Sequence, residues 1–438
     1  MKCSGATGMR LEQFKDIKVG YWPDPVLYKS PSIEPFPNLR DETYTYKGGK
    51  DRVGNLNGKG CIELDNGDLI TGYFVDNKRE GEFTIETFKN GLRIIQGPYV
   101  NDKMNGRTRV TYNDGSFCEV YMKDGVMHGF YRSFDDKGRL KFIGNYKNGS
   151  PTGVCWKVIP GGGCVVGRVD DEGELTGIRI AYLYPDFITA FVGNFNDGIM
   201  EFAQVSELKS VIDDKGIKVP MFTEPNGRLY KREISTYDFV TNNPLLPDPY
   251  ESKLVEIRQS RVGGAGDGLF ARVKIEANVV VAFYNGKRIG PRSWEDFNHP
   301  DWDYNAYKIF DPSVHNGTID IPSEFRETKN YNATLAHKTN HSFLPNGEFV
   351  SFDHPRLGII PCICTSHDVE AGEEIFVHYG YSFNDCPDWY EEAWQSGNYP
   401  IPDSMRDGYT GNPELTNDDK ANQLPDLDDK SSQEGSLG

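Results

Sequence analysis

No run of apolar residues in this 438-residue chain is long enough to cross a bilayer. The longest, such as NVVVAFY at 278–284, fall far short of the roughly 20 residues that a spanning helix requires. The opening MKCSGATGMRLEQF lacks the apolar core, about 7–15 residues long, of a secretory signal, so an intracellular chain is expected. Positive charge is in short supply too: 48 Lys and Arg stand against 65 Asp and Glu, a formal net charge of −17. Holding nucleic acid takes clustered basic side chains, so direct sequence-specific binding of it is not expected. A basic partner such as a lysine-rich peptide suits that charge. The eight cysteines are scattered; only Cys362 and Cys364 lie close together, with Cys386 downstream. That is no four-ligand zinc spacing, and the expectation is reduced, buried thiols and no metal.

What the chain does have is glycine, 47 of them, and aromatic residues at 13%, a composition that favours β structure. Glycines at 58, 81, 106, 129, 153 and 177 recur every 23–25 residues, and a second series at 67, 91, 115 and 138, continuing near 162, keeps the same period. Around them a pattern returns: ITGYFVDNKREGEF, IQGPYVNDKMNGRT, EVYMKDGVMHGFY, FIGNYKNGSPTGV, FVGNFNDG. Each unit reads as two short strands joined by an Asp-Gly or Asn-Gly type of turn. One hairpin cannot bury its apolar face alone, whereas a stack can. The units resemble MORN repeats, with Glu119 standing where a strand glycine is expected. In related proteins such arrays act as spacers, docking surfaces or lipid-associated platforms.

The proline- and turn-rich stretch 223–252 marks a boundary. From about 253 to 381 β-branched runs alternate with polar loops, and 382–400 contains CPDWYEEAW, read as a short amphipathic helix. Residues 401–438 carry nine acidic and three basic side chains and are expected to be disordered. The divisions predicted are an N-terminal segment 1–50, repeats 51–215, a linker 216–252, a third segment 253–381, the helical segment 382–400 and the acidic tail.

Four stretches of the third segment carry its chemistry. GGAGDGLFARVKI (263–275) would need glycine where Leu269 stands to be a dinucleotide fingerprint, and it lacks the Lys and Ser/Thr of a P-loop. What remains is a flexible turn whose bare backbone lets a ligand approach. HKTNH (337–341) has Lys338 where a zinc protease needs glutamate. NHSFLPN (340–346) groups Asn340, His341 and Asn346, and AGEEIFVHYGY (371–381) ends in Tyr379 and Tyr381, on one side of a regular strand.

Taken in order, GxGxGLF, FYNG, NHSxxPN and GEEIxxxYGY resemble the SET domain of protein lysine methyltransferases over the whole of 253–381. With the repeats upstream, the chain resembles the MORN-plus-SET histone-lysine methyltransferases. The fold implied is mainly β: stacked β-hairpins, then a knotted β-rich SET domain with a short C-terminal helix. The resemblance implies S-adenosylmethionine bound by Ala265, Gly266, Asp267, Asn340 and His341, with Trp389 closing over the adenine and Glu392 standing in for a glutamate that aligns nearest Ala393. It implies a substrate channel of Tyr284, Phe349, Tyr379 and Tyr381 with Asn305 at its mouth, and catalytic roles for Tyr379, Tyr284 and His341. Relatives have glutamate where Asp267 stands and tyrosine where Phe349 stands. Histone tails, including the fourth residue of histone three, and other lysine-bearing proteins are the implied substrates of a monomeric, nuclear, chromosome-associated enzyme also found in the cytoplasm. The competing reading is a repeat scaffold or membrane-docking protein with an inactive SET fold. Survival of Asn340, His341, Tyr284 and Tyr379 favours the enzyme.

Overall fold

The computed structural model describes residues 43–87, 93–214, 216–289, 307–311, 317–381 and 386–408. Asn305, the segment before 43 and the acidic tail beyond 408 lie outside the described residues. The chain divides into two compact units: residues up to Ser252 with Phe283–Thr334 and Val350–Cys362, and Lys253–Ala282 with Leu335–Phe349 and the residues from Ile363 onward.

The first unit is dominated by one antiparallel array running from Tyr44–Lys50 to Asn226–Lys231, in which most strands pair with their successors. Two turn chemistries build it. Five two-residue turns place both central residues at positive φ: Asp76-Asn77, Asn101-Asp102, Asp124-Gly125, Asn148-Gly149 and Asp197-Gly198. This backbone matches the twist of the flanking strands, and short polar residues or glycine adopt it at least cost. The second turn residue then donates its N–H to a carbonyl one repeat earlier: Asn77 to Leu56, Asp102 to Arg79, Gly125 to Met104, Gly149 to Met127 and Gly198 to Leu175. Each turn is thereby locked onto its neighbour. Gly67 and Gly115 of the second series occupy alternate turns, and their N–H groups bond back to Leu64 and Tyr112.

Counting four residues back from the two-residue turns gives strand glycines at 72, 97, 144 and 193. A Cβ on Gly72 would collide with the Phe83 ring. By this count Val120, and not Glu119, occupies the strand-glycine position of its repeat. Glu119 instead accepts from Arg107 and Arg132, both at 2.8 Å, which holds its carboxyl below the usual range although burial opposes them.

Alternation along the strands sends one face inward, where Trp156, Val166, Leu183 and Leu208 form a core. The Trp156 indole N–H donates to the Lys218 carbonyl at 2.6 Å. The segment expected as a linker, 216–252, opens with two further strands of this sheet, Ile217–Phe222 and Asn226–Lys231, both paired with Ile199–Asp214.

In the second unit Val255–Gln259, Asp267–Ala271, Glu374–Val377 and Asn340–His341 form a four-stranded sheet in that order. Its last pair is parallel, Asn340 opposite Phe376 and His341 opposite Val377. The helix Asp388–Ser396 follows and is ended by Gly397 in the left-handed conformation.

Gly149→Val should lower the unfolding free energy by about 1–2 kcal/mol, since a β-branched residue is strained at φ 90. Asn148→Gly should change it little. Urea unfolding followed by circular dichroism checks both.

Candidate functional site

The site is assembled within the second unit from three segments. The first is the glycine-rich turn. Gly264 and Gly266 take φ of 80 and 74, a conformation that favours glycine, and a Cβ at either would meet open space. The backbone here is bare to its surroundings. The Gly266 carbonyl accepts from the Ser260 N–H at 2.8 Å and the Gln259 side chain at 2.9 Å, pinning the turn. Beyond it, Asp267 opens a strand and pairs with Lys338 at 3.0 Å. Lys338 is buried, its side chain 8% exposed, whereas Asp267 is partly open. The sequence reading assigned Lys338 no role, because the two residues are 71 positions apart.

The second segment is Thr339–Asn346. The Asn340 amide donates to the Asp267 carbonyl and to Glu374 Oε1, both at 3.0 Å. Asn346, fully buried, acts on the strand Glu374–Val377: its amide donates to the Glu374 carbonyl at 3.0 Å and accepts from the Phe376 N–H at 2.8 Å. It satisfies backbone groups as a neighbouring strand would.

His341 is buried among Phe343, His378, Tyr379, Trp389 and Tyr390, ring centroids 4.5–6.0 Å away. Its Nδ1 accepts from the Tyr379 N–H at 3.1 Å. The proton of the neutral ring is therefore assigned to Nε2. Nε2 is buried and has no hydrogen-bond partner among the described residues, nor has the neighbouring Thr339 Oγ1. Burial and the charge of His378 push the imidazole down to about 3, the Val377 backbone opposing weakly.

The third segment is 373–381. Glu374 is 2% exposed. Its Oε1 accepts from Ser260 Oγ at 2.7 Å and from Asn340, and its Oε2 from the Arg261 N–H at 3.1 Å. A Cβ on Gly268 would collide with this carboxylate. The strand stops at Val377, so Tyr379 and Tyr381 do not sit on regular strand. Their rings nonetheless meet edge to face at 5.9 Å. The Tyr379 hydroxyl donates to the Thr339 carbonyl at 2.8 Å. Trp389, 47% exposed, lies 6.4 Å from both tyrosine rings.

The other expected residues make different contacts. Glu392 is exposed, and the helix turns Ala393, one turn on from Trp389, into the cluster of Phe343, Tyr390 and Tyr399. Phe349 is half-buried on its strand, on the face opposite Val350, Phe352 and His354. Phe352 is buried against Phe283 at 4.9 Å, so Phe349 and not Phe352 is the accessible ring. Tyr284 belongs to the first unit; it is buried and its hydroxyl donates to the Tyr307 carbonyl at 2.7 Å. Glu374 and Lys338 are the site residues that the sequence did not disclose. The paired acids of GEEI were the one available signal.

Residues 146–217 match the family described as Histone H3 K4-specific methyltransferase SET7 N-terminal, and residues 266–380 match the SET domain. Over 269 residues, 59% of this chain and 68% of the relative, the chain is 36% identical to histone-lysine N-methyltransferase SETD7 of Halocynthia roretzi.

With its pKa depressed, the native His341 ring should stay neutral down through pH 5. The unfolded chain takes up this proton near pH 6.5, so stability from this group is complete above that pH and declines as pH falls toward 3, by at most about 1.4 kcal/mol per unit. Imidazole resonances of His341 that do not shift between pH 8 and 5 would accord with this. A midpoint near 6.5 would contradict it.

Proposed function

The chain belongs to the SET-domain histone-lysine methyltransferases, and from that membership we propose that its S-adenosylmethionine site is the one built around Asn340, His341 and Glu374. The observation that carries this is the buried Nε2 of His341, a ring nitrogen without a hydrogen-bond partner among the described residues. Such a group is costly to bury unless a ligand satisfies it. The remaining groups suit the rest of the cofactor. Its α-amino acid end bears an ammonium and a carboxylate, and the Asp267–Lys338 pair presents the opposite charges. The open glycine turn, with Ala265 and Gly266, permits close approach, and Trp389 is placed to cover the adenine. Glu392, exposed, has no part in this reading.

When bound, S-adenosylmethionine supplies an electrophilic methyl carbon on a sulfonium. The protein's task is to deliver a neutral lysine amine in line with it. Freeing that lone pair at pH 7 costs about 4–5 kcal/mol from a lysine pKa near 10.4. Aromatic walls, Phe349, Tyr379 and Tyr381, desolvate the ammonium and lower that cost. Tyr379 is held at both ends, its N–H by His341 and its hydroxyl by the Thr339 carbonyl. With its proton spent on Thr339, the phenol oxygen keeps lone pairs to orient the amine N–H. Orientation is the main contribution, and solvent takes the proton before transfer.

The proposed substrates are histone tails, including the fourth residue of histone three, and other lysine-bearing proteins. The net charge of −17 suits such basic segments, and the name of the Halocynthia relative supports action on histone lysines. The enzyme acts as a monomer.

In the full-length protein, His341→Ala should abolish S-adenosylmethionine binding by calorimetry; equal affinity would remove the assignment of this site. Tyr379→Phe should lose most turnover at near-normal cofactor affinity, because the hydroxyl acts in the transition state. Unchanged turnover would make Tyr379 a packing residue only.

The number of methyl groups transferred follows from Phe349. A tyrosine hydroxyl there would hold a water in the space that a methylated amine needs. Phenylalanine holds it less firmly, and displacing a loosely held water with a methyl is favourable. Dimethyl-lysine should therefore form, and Phe349→Tyr should shift product to monomethyl-lysine. Mass spectrometry on one peptide checks this, and monomethyl product alone at long times from the unaltered enzyme would overturn it.

A further inference from the structure

Past its C-terminal helix the chain returns to the site and is tied to it at four points. The Tyr399 ring packs on Phe343 at 5.2 Å. The Pro400 carbonyl accepts from the Ser342 hydroxyl at 2.5 Å. Asp403 pairs with Arg261 at 2.6 Å. Ser404 donates both its N–H, at 2.9 Å, and its hydroxyl, at 2.6 Å, to the buried carboxylate of Glu373.

The anchor points are not scattered. Ser342 follows His341 directly. Arg261 precedes the glycine-rich turn, and its own N–H is bound by Glu374, the group that also holds Asn340. The paired acids of GEEI divide their contacts: Glu374, which opens its strand, binds Asn340, and Glu373, just before the strand, binds the returning segment. Between that segment and the turn lies a cavity of about 400 Å³, with Arg261, Val262 and Gly263 on one side and Pro400, Ile401 and Asp403 on another. The exposed Arg261–Asp403 pair contributes little alone. The two bonds from Ser404 to a buried charge are the stronger tie.

We propose that residues 398–408 are a positioning strap for cofactor binding, with Ser404 and Asp403 its positioning residues. The strap holds the glycine-rich turn in register with the segment carrying Asn340 and His341, so that both meet the cofactor in one arrangement. This rests on the cofactor assignment above. None of the strap's polar groups takes part in methyl transfer, so its effect belongs to binding and not to turnover.

The test uses the full chain and S-adenosylmethionine itself. Ser404→Pro removes both donors, and the first turn of the short helix Asp403–Gly408 tolerates proline. Ser404→Thr keeps them. Ser404→Pro should weaken calorimetric cofactor affinity, and raise KM for it, about tenfold, with kcat at saturation within about twofold. Amide exchange over 260–268 should quicken in cofactor-free protein. Ser404→Thr should behave as the unaltered protein. Asp403→Arg and Arg261→Asp should each weaken binding, and the two combined should recover part of it, because Asp403 also pairs with Arg406 at 3.1 Å. Unchanged affinity in Ser404→Pro overturns the strap, as does a fall in kcat in step with thermal stability that neither Ser404→Thr nor the charge swap avoids. If the unaltered protein binds no S-adenosylmethionine, the cofactor assignment fails and the strap with it. Normal binding in every strap variant defeats the strap alone.

Discussion

Glu374 is the constraint on which the site depends. A carboxylate removed from water is costly unless its lone pairs are filled, and here the donors come from different parts of the chain: the Ser260 hydroxyl, the Arg261 backbone and the Asn340 amide. Satisfying one buried charge thus fixes the glycine-rich turn, the Asn340–His341 strand and the Glu374–Val377 strand against one another. Gly268 has no side chain because the carboxylate occupies that space. Asn346 completes the arrangement from the other side by bonding the backbone at 374 and 376. The groups proposed to face the cofactor are then presented by a scaffold in which Glu374, Asn340 and Asn346 are satisfied. Against it the unpartnered Nε2 of His341 and Oγ1 of Thr339 stand out.

The repeat array solves a different problem with local means. Its hairpins are specified by short-range turn chemistry, and each turn borrows a carbonyl from the repeat before it. Cohesion is nearest-neighbour in character. A single weak repeat is tolerated, as Val120 in the strand-glycine position shows. The site, by contrast, is built from long-range contacts and has no such redundancy.

That difference decides what could be read in advance. The 24-residue rhythm of glycines, the hairpins and the turn positions were legible because sequence neighbours make them. Even there, taking Glu119 for the strand-glycine position failed, because the period was counted from glycines and not from the turn at Asp124-Gly125. The NHS and YGY segments were legible through their motifs. Glu374 and Lys338 were not: their partners lie up to 114 and 71 residues away, and neither residue type nor spacing announces such a contact. Glu392 lies exposed because helical phase sends Ala393, one turn on from Trp389, inward. The turns at Asp76-Asn77 and Asn101-Asp102 carry no glycine, so the Asp-Gly and Asn-Gly signal did not mark them.

The central claim is that this scaffold delivers a lysine amine to a sulfonium-borne methyl group. It is tested most directly by incubating the full-length protein with methyl-labelled S-adenosylmethionine and histones, followed by peptide mapping in a mass spectrometer. The account predicts label on lysine side-chain nitrogens, the fourth residue of histone three among them. Absence of label, or label confined to arginine or histidine, would contradict it.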